Sequence, residues 1–487
     1  MNILFAASEA VPLAKTGGLA DVTGALPKML NSKDTEVRVI LPNYAEVPAH
    51  LLGRFERVAE YTVAFGGWRN PYCGLLKAEL DGVIYYLIDN EWYFGRKGLY
   101  GYGDDAERFV FFCYAVMEGL SRMDFSPDII HCHDWQTGLI PFLLKTRYAA
   151  EPDYASIQTV FTVHNLQYQG LFPIELLKEL TGAGDEEFSH ERLEYFGSAS
   201  CLKGGLVYAD KLTTVSETYA AEIQQEQYGE GLHGLLRSRS CDLIGIRNGI
   251  DVSLYDPMND DALHTPYRSS IGRKRKNKLA LQRELGLPES ESTPLFAMVT
   301  RLVEHKGFSL LESIADEWLA DDVQLVVLGV GESRYENLLH HLASRYPDKV
   351  AARFEFSDQL ARRIYAGSDL YLMPSKHEPC GLSQLLALRY GSVPIVRETG
   401  GLKDTVQPYD EYIGVGNGFT FPGYDAAELL RTIRGALALY YKEDVWKRIV
   451  NNAAKEDLGW NRSARAYLTL YTQLLTHRKG KPLWPVI

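Results

Sequence analysis

The chain of 487 residues lacks the features that mark several broad classes of protein. Its 6 cysteines are widely spaced and include no C-x-x-C pair, which excludes a disulfide-dense secreted scaffold and favours reduced thiols. No apolar run approaches the roughly 18 to 20 residues of a membrane span. Lysine and arginine total 51 against 63 acidic residues, a net charge of −12, so there is no basic excess to attract nucleic acid or an anionic membrane.

We expect no targeting segment at the N-terminus. Residues 1–7 have no basic stretch before their apolar residues and lead directly into Ser8-Glu9, which is typical of a first β-strand and not of a signal peptide. There is no Arg- and Ser-rich transit segment either. We therefore expect a soluble cytoplasmic protein.

Short apolar runs alternate with helix-compatible segments along both halves of the chain. Runs of this kind are typical of parallel strands buried on both faces, and their alternation with helices predicts βαβ units. In the first half the predicted strands are Ile3–Ala7, Val37–Leu41, Val83–Ile88, Ile129–Cys132, Val160–Val163 and Lys211–Val215. In the second half they are Leu243–Ile246, Leu295–Thr300, Val323–Leu328, Arg353–Phe356, Leu370–Met373 and Val393–Val396. Within residues 57–88, alternating strands and the Asp81-Gly82 pair predict an inserted β-hairpin.

Turn-forming and polar residues between 245 and 265 predict a domain boundary. The expected fold is α/β, with two Rossmann-like, doubly wound parallel-sheet domains at 1–247 and 248–458 and a C-terminal segment at 459–487. In that segment Tyr467, Tyr471 and Leu474, with Leu468 and Leu475, form an apolar helical face. Two such domains place a ligand at the carboxyl ends of their strands, so a cleft between them is the expected active site.

Two loops that follow predicted strands carry cations. Lys15-Thr16-Gly17-Gly18 follows the first strand, and its glycines and backbone N–H groups, with the lysine, suit an anion such as phosphate. Arg301 and Lys306 follow Leu295–Thr300 on one loop, where both could face a diphosphate leaving group. Each segment alone could also be an ordinary turn or a solvated basic loop.

Glycine pairs and Glu378 mark the end of the second half. The strand Leu370–Met373 leads to Glu378, and we expect Cys380-Gly381 to begin a helix whose N–H groups could hold sugar hydroxyls or phosphate. Gly400-Gly401 repeats the anion-binding glycine pair, whereas Cys380 could equally be a buried apolar residue.

The remaining glycine-rich and basic segments are less informative. Gly329-Val330-Gly331 lacks the third glycine of a dinucleotide fingerprint, since Arg334 stands there, and this disfavours an NAD oxidoreductase. The basic run 273–278 predicts a solvated helix start.

Histidines end two strands of the first half, in the segments 131–135 and 162–166. A metal site is one interpretation, but the chain has no H-E-x-x-H and no Asp-x-Asp pair that would hold a divalent metal beside a sugar nucleotide. We therefore expect no metal. His131 is interpreted as a structural histidine, and His164 and Trp135 as residues that contact sugar by hydrogen bonding and ring stacking.

Taken together, these motifs resemble the bacterial glycogen synthases and plant starch synthases, retaining ADP-glucose glucosyltransferases of the GT-B fold. The matching segments span the chain: Lys15 to Val22, His133 to Trp135, Thr162 to Leu166, Asn248 to Asp251, Arg301-Leu302, Lys306-Gly307, Pro374-Ser375, Glu378 to Leu382 and Thr399 to Leu402. The resemblance implies transfer of glucose from ADP-glucose to the non-reducing end of an α-1,4-glucan such as glycogen or a maltooligosaccharide, without a metal or other cofactor. It also implies an acceptor-side first domain, a nucleotide-sugar-binding second domain and a C-terminal helix that crosses back onto the first domain.

The resemblance implies a role for each matching residue. The catalytic residues would be Glu378, Arg301, Lys306 and His164. The donor-binding residues would be Lys15, Gly18, Asp21, Asn248, Phe356, Cys380, Gly381, Leu382, Thr399 and Gly400. The acceptor-binding residues would be Asp134 and Trp135.

Among these, Lys15, Arg301 and Lys306 would neutralise the diphosphate, and Gly18 and Gly381 would bring backbone N–H groups to phosphate and sugar. His164, Asn248, Glu378 and Cys380 would line the glucose pocket. Asp21 and Trp135 would meet donor sugar or acceptor glucan. Phe356 would stack on the adenine, where some relatives carry tyrosine.

No acidic residue in the first-half motifs is an obvious nucleophile, so we expect front-face substitution with the leaving charge stabilised by Arg301 and Lys306.

Two other functions stay open. One is a GT-B transferase that uses a UDP- or GDP-sugar and a small acceptor, and the other is a non-catalytic glucan-binding protein. The cations that would neutralise a diphosphate disfavour the latter, because binding glucan does not require them.

Overall fold

A computed structural model describes residues 1–478, which form two compact units. The first comprises Met1–Asn248 and the segment from Trp460 onward, and the second comprises Gly249–Gly459. The second unit is thus inserted in the sequence of the first, and Asn248, expected at the start of the second domain, belongs to the first unit. Residues 479–487, the end of the expected C-terminal segment, lie outside the described residues.

The first unit contains a nine-stranded sheet and a three-stranded sheet. Its strands in chain order are β1 (Asn2–Ala6), β2 (Glu36–Pro42), β3 (Glu56–Thr62), β4 (Tyr72–Leu80), β5 (Val83–Asp89), β6 (Ile129–His133), β7 (Gln158–Val163), β8 (Leu171–Phe172), β9 (Glu194–Tyr195), β10 (Ser198–Ser200), β11 (Lys211–Thr214) and β12 (Leu243–Gly245). The large sheet has the order β12-β11-β7-β6-β1-β2-β5-β4-β3, and its pairs are parallel except β5-β4 and β4-β3. The small sheet, β8-β10-β9, is antiparallel.

The predicted hairpin is confirmed as β4 and β5. Asp81 and Gly82 join them with φ angles of +50° and +78°, a left-handed pair that suits a tight hairpin turn. The segment Leu243–Ile246 was expected among the strands of the second half, and this is wrong. It forms β12, which pairs in parallel with β11 at the edge of the first sheet because the chain leaves the first unit only after it.

The second unit is built on a six-stranded, fully parallel sheet of order β15-β14-β13-β16-β17-β18. Its strands are β13 (Leu295–Val299), β14 (Gln324–Leu328), β15 (Val350–Arg353), β16 (Leu370–Met373), β17 (Val393–Arg397) and β18 (Phe419–Phe421). The strand expected at Arg353–Phe356 is wrong: β15 ends at Arg353, the last of the four residues from Val350 onward that pair with β14, and Val350 and Ala351 are its buried residues. Phe356 therefore lies in a loop. The short edge strand β18 was not predicted.

Helices cover the sheets. In the first unit they are α1 (Gly18–Leu30), α2 (Ala49–Leu52), α3 (Glu91–Phe94), α4 (Asp105–Gly119), α5 (Leu139–Lys145), α6 (Ile174–Thr181), α7 (Cys201–Tyr208), α8 (Glu217–Glu222) and α9 (His233–Ser238). In the second they are α10 (Ile271–Leu285), α11 (Phe308–Trp318), α12 (Ser333–Arg345), α13 (Asp358–Gly367), α14 (Ser383–Arg389), α15 (Gly400–Thr405), α16 (Ala426–Tyr440) and α17 (Glu443–Lys455). The last helix, α18 (Asn461–Arg478), returns to the first unit.

The return of the C-terminal helix to the first unit is confirmed. Tyr467, Tyr471 and Leu474 are buried in the core that also contains residues of β1, β2 and α1. The two chain segments that connect the units are themselves joined, since the backbone N–H of Ile250 donates to the carbonyl of Leu458 at 2.8 Å. The first unit is therefore completed by residues that follow the second in sequence.

The basic run 273–278 lies inside α10 and is not wholly solvated, contrary to expectation. Lys274 is buried, and its Nζ donates to the carbonyl oxygens of Tyr365, Ala366 and Tyr390 at 2.8 to 3.1 Å. These carbonyls lie at the C-terminal ends of α13 and α14, where no further helical N–H is available to them. Lys274 is thus a buried cap for two helices.

Replacing Lys274 with methionine should lower the free energy of unfolding by about 2–4 kcal/mol, because three buried carbonyls lose a hydrogen-bond donor. Lys276 is exposed on the same helix, so Lys276→Met should change stability by less than about 0.5 kcal/mol. Urea denaturation of the two variants measures the difference. Equal midpoints would contradict the capping role.

Candidate active site

The loop after β1 is organised by a carboxylate that the sequence analysis treated only as the end of a strand. Glu9 is buried and accepts hydrogen bonds from the backbone N–H and hydroxyl of Thr16 at 2.5 and 2.7 Å. It also accepts from the backbone N–H of Gly17 at 3.2 Å and from the hydroxyl of Tyr100 at 2.6 Å. An acidic residue directly after the first strand is the signal that could have identified Glu9.

This arrangement presents the N-terminus of α1 to solvent. Gly17 and Gly18 are exposed, and no side chain caps the helix, so its first N–H groups are open to an anion. Lys15 lies beside them and forms an ion pair with Asp21 at 2.7 Å. The structure therefore brings together three predicted donor-binding residues, Lys15, Gly18 and Asp21.

The ends of β6 and β7 place His133, Asp134 and His164 in one cluster. His133 Nδ1 lies 3.0 Å from His164 Nε2, and the Asp134 carboxylate accepts from the backbone N–H of His164 at 2.7 Å. Asp134 has a φ of +57°, a left-handed conformation that turns its carboxylate back toward the end of β7.

Burial governs the charges in this cluster. It raises the pKa of Asp134 to about 7, against the lowering effect of hydrogen bonds from the backbone N–H groups of His164 and Asn165. Burial also lowers the pKa of His164 to about 3, so the imidazole is neutral at physiological pH.

Trp135 is held by its own unit. Its ring packs edge-on against Phe109, with centroids 5.0 Å apart, and at a tilt of 59° against Phe172, with centroids 5.7 Å apart. A Cβ added at Gly170 would meet the Trp135 ring at 2.3 Å, so the glycine is required for this packing. The indole is half-buried and rigidly placed, which limits the area it could offer to a sugar.

In the second unit, the loops after β13 and β16 meet at a buried ion pair. Lys306 Nζ lies 2.6 Å from Glu378 Oε2, and their side chains are only 15% and 9% exposed. Ser375 Oγ donates to the same carboxylate oxygen at 3.1 Å, a contact that sequence reasoning did not identify. Arg301 is exposed on the loop that carries Lys306.

Three glycines allow the second-unit loops to approach closely. Gly307 has a φ of +86°, and a Cβ there would meet the Pro374 carbonyl oxygen at 2.2 Å. A Cβ at Gly400, whose φ is +45°, would meet the Glu378 carbonyl oxygen at 2.1 Å, and one at Gly401 would meet that of Cys380 at 2.0 Å. The glycines thus position Glu378 and Cys380 by backbone contact.

The helix expected to begin at Cys380-Gly381 begins instead at Ser383. Gly381 has a φ of +70°, a left-handed conformation that cannot belong to an α-helix, and the next residue, Leu382, occupies the N-cap position. Cys380 is buried, in keeping with its interpretation as a small apolar residue.

The other predicted donor-binding residues are dispersed. Phe356 is 82% exposed, Thr399 is fully buried at the N-cap position of α15, and Leu382 is half-buried. Asn248 is buried, and its Oδ1 has no hydrogen-bond partner among residues 1–478. An unpaired buried amide oxygen is available to a ligand donor.

Among residues 1–478 no group of three or more His, Cys, Asp and Glu side chains is placed to hold a metal ion. No helix in the same range is long and apolar enough to cross a membrane. The chemistry present is therefore a set of cations, helix and loop N–H groups and neutral histidines at the ends of parallel strands.

Comparison with known proteins gives matches over both units. A family model described as the starch synthase catalytic domain matches residues 2–238, and one described as glycosyl transferases group 1 matches residues 283–456. The chain is 53% identical over 476 residues to a glycogen synthase of Desulforamulus reducens, covering 98% of this chain and 99% of the relative. It is 51% identical over 476 residues to a glycogen synthase of Bacillus cereus, covering 98% of this chain and all of the relative (100%).

One solved structure gives the same family, and a second matches in fold. The catalytic domain of starch synthase IV from Arabidopsis thaliana, bound to ADP and acarbose, matches with a TM-score of 0.90 and 32% identity, covering 97% of this chain and 99% of that one. A sucrose-phosphate synthase from Thermosynechococcus elongatus matches with a TM-score of 0.62 and 17% identity, a likeness of fold alone. The predicted GT-B fold is confirmed by the first of these matches.

The raised pKa of Asp134 predicts a specific pH dependence of stability. The folded protein holds this proton up to about pH 7, whereas an unfolded aspartate releases it near pH 4, so the cost of burying Asp134 grows between about pH 4 and pH 7. Wild type should therefore lose stability relative to Asp134→Asn as the pH rises through this range, with no further change above it. Urea denaturation of both proteins from pH 5 to 8 measures this. A constant difference would contradict the assignment.

Proposed function

Because the chain belongs to the family of bacterial glycogen synthases and starch synthases, we propose that it transfers glucose from ADP-glucose to the non-reducing end of an α-1,4-glucan, with retention of configuration. The observation that carries this proposal is the buried Lys306–Glu378 pair, which sets a cation beside a carboxylate at the ends of two neighbouring strands. A nucleotide-sugar transferase needs both charges, one for the departing diphosphate and one for the electron-poor sugar.

The reaction breaks the bond between the anomeric carbon and the diphosphate oxygen and forms a bond from that carbon to the 4-hydroxyl of the terminal glucose. Negative charge develops on ADP, and Arg301 and Lys306 stabilise it. Lys15 on the first unit is proposed as a further phosphate contact. Charge stabilisation by pre-positioned donors is usually the largest single contribution to such a rate. The hydroxyl proton passes to the departing phosphate, so no separate base is required.

Besides pairing with Lys306, Glu378 would stabilise positive charge on the donor sugar. The anomeric carbon becomes positive as ADP departs, and a carboxylate in the glucose pocket offsets that charge. Its position is fixed by Ser375 and Lys306, and by the close approach of Gly400 to its carbonyl. His164 and Asn248 on the first unit and Cys380 on the second are proposed as glucose contacts, and the exposed ring of Phe356 is available to stack on adenine.

Support for the nucleotide comes from the related starch synthase IV domain, whose structure holds ADP together with acarbose. ADP is the product that ADP-glucose would leave behind. Asp134 and Trp135 on the first unit are the proposed acceptor residues. The closely packed Trp135 ring would contact glucan through its remaining exposed edge.

The decisive experiment supplies labelled ADP-glucose, UDP-glucose and GDP-glucose separately, each with glycogen or with a small acceptor. Incorporation into glycogen from ADP-glucose alone supports the proposal. Preferred use of another nucleotide, or transfer only to the small acceptor, would indicate the alternative transferase. Retention on glycogen with no turnover from any donor would indicate a glucan-binding protein.

Arg301→Ala and Lys306→Ala should each lower kcat by about 10²–10³-fold, because each removes one donor that stabilises the leaving diphosphate. Arg434→Ala serves as the control, since Arg434 is a half-exposed cation of the second unit outside the proposed site. Steady-state kinetics with ADP-glucose, together with thermal unfolding, separate activity from folding. Near-normal turnover in correctly folded variants would refute the leaving-group role.

We also propose that transfer requires no divalent metal. The proposal rests on the absence of any Asp-x-Asp pair in the sequence and on three cations that are able to neutralise the diphosphate. Treatment with EDTA should leave at least most of the transfer rate. A complete loss that Mg²⁺ or Mn²⁺ restores would overturn the proposal.

A further inference from the structure

Three histidines form a row in the first unit, from the interior of β6 to the end of β7. His131 and His133 are fully buried and stacked, with ring centroids 4.2 Å apart and planes at 29°. His133 in turn hydrogen-bonds to His164 through Nδ1 and Nε2 at 3.0 Å. We propose that His133 is a positioning residue, which holds His164 in the tautomer whose proton is on Nδ1.

The hydrogen bond between the two rings allows only two neutral arrangements. Either His133 Nδ1–H donates to His164 Nε2, or His164 Nε2–H donates to His133 Nδ1. The first places the remaining proton of the pair on His164 Nδ1, and the second places it on His133 Nε2. The two arrangements therefore differ in which ring offers a donor on its far side.

The surroundings of His133 Nε2 select the first arrangement. This nitrogen is buried, and it has no hydrogen-bond partner among residues 1–478. A buried N–H without an acceptor is rarer and more costly than an unpaired acceptor. The proton of His133 therefore belongs on Nδ1, and His164 Nε2 is the acceptor.

Protonation of His131 or His133 does not provide a third arrangement. Burial lowers the pKa of His131 and His133 well below the usual range, and nearby histidines lower both further. His131 is fixed on its other sides, since Nδ1 lies 2.7 Å from the Tyr471 hydroxyl and Nε2 lies 2.6 Å from Thr162 Oγ1. The stacked ring of His133 is thus held between a fixed neighbour and Phe5, whose centroid is 5.1 Å away.

The consequence for the reaction rests on the proposed function. His164 is half-buried, and its Nε2 is occupied by His133, so Nδ1 is the nitrogen left for a ligand. With a proton there, His164 donates a hydrogen bond to a hydroxyl of the glucosyl unit. With the other tautomer it would only accept, and the same hydroxyl would have to rotate its own proton toward the ring.

The tautomer can be read without any activity. Nitrogen NMR of histidine-labelled protein distinguishes a protonated ring nitrogen from an unprotonated one, and the His164 signals are identified by their loss in His164→Gln. We expect a pyrrole-type shift for His164 Nδ1 and a pyridine-type shift for Nε2. The reverse assignment would overturn the proposal, whatever reaction the protein performs.

A matched pair of variants tests the positioning role. In His133→Asn the amide nitrogen occupies nearly the position of Nδ1 and still donates, whereas His133→Leu has a similar size and cannot. With ADP-glucose and glycogen, we expect the leucine variant to lose about 10- to 100-fold in kcat and the asparagine variant to recover most of it, with the KM for glycogen little changed.

Equal losses in the two variants would show that only the shape of the His133 side chain matters, and the proposal would be wrong. If the leucine variant does not fold, the positioning role is still tested by comparing wild type with His133→Asn, including the NMR assignment of His164. A wild-type protein that transfers no glucose would refute the proposed function, while the tautomer would remain readable.

Discussion

A parallel strand covered on both faces has room for unpaired polar side chains only where it ends, and this limit determines where chemistry occurs in the chain. Lys15 and Glu9 follow β1, Asp134 and His164 follow β6 and β7, and Arg301 and Glu378 follow β13 and β16. A polar residue inside a strand can instead be paired within the core, as His131 is with Thr162 of β7 and Tyr471 of α18. Each sheet thereby gathers residues that are distant in sequence at one edge.

The same limit explains how much of the fold could be predicted from the sequence. Continuous apolar runs identify most strands of both sheets, and Asp81-Gly82 identifies the hairpin, because these signals are local. The errors occur where strand pairing, and not the local sequence, determines which residues form the strand. Val350–Arg353 was displaced in the prediction because only contact with β14 distinguishes Val350 from Phe356, and β18 is too short to show a pattern. Lys274 was predicted to be solvated because it lies in a basic run. Its hydrogen-bond partners are instead three carbonyls that lie 91 to 116 residues away in sequence.

The residues of the candidate site were predictable to a similar extent, where their signal is local in sequence. Glycines and cations beside strand ends carry a local signal, and the family resemblance extends it to Asn248 and Phe356. The residues that hold them in place carry a much weaker signal of their roles. Glu9, Ser375 and His133 act through side chains and backbone groups brought near by folding, so sequence spacing does not predict their roles. Sequence thus identified groups suited to substrate better than the groups that position them.

The insertion of the second unit into the first also sets the order in which the ribosome delivers the parts of the protein. All of Gly249–Gly459 is synthesised before α18 emerges, so the sequence of the second unit is complete before that of the first. Until then the core face that takes Tyr467, Tyr471 and Leu474 stays uncovered, and His131 lacks the hydroxyl that pairs with its Nδ1. A nascent chain halted before Trp460 would therefore leave this apolar face of the first unit exposed, a surface suited to chaperone binding.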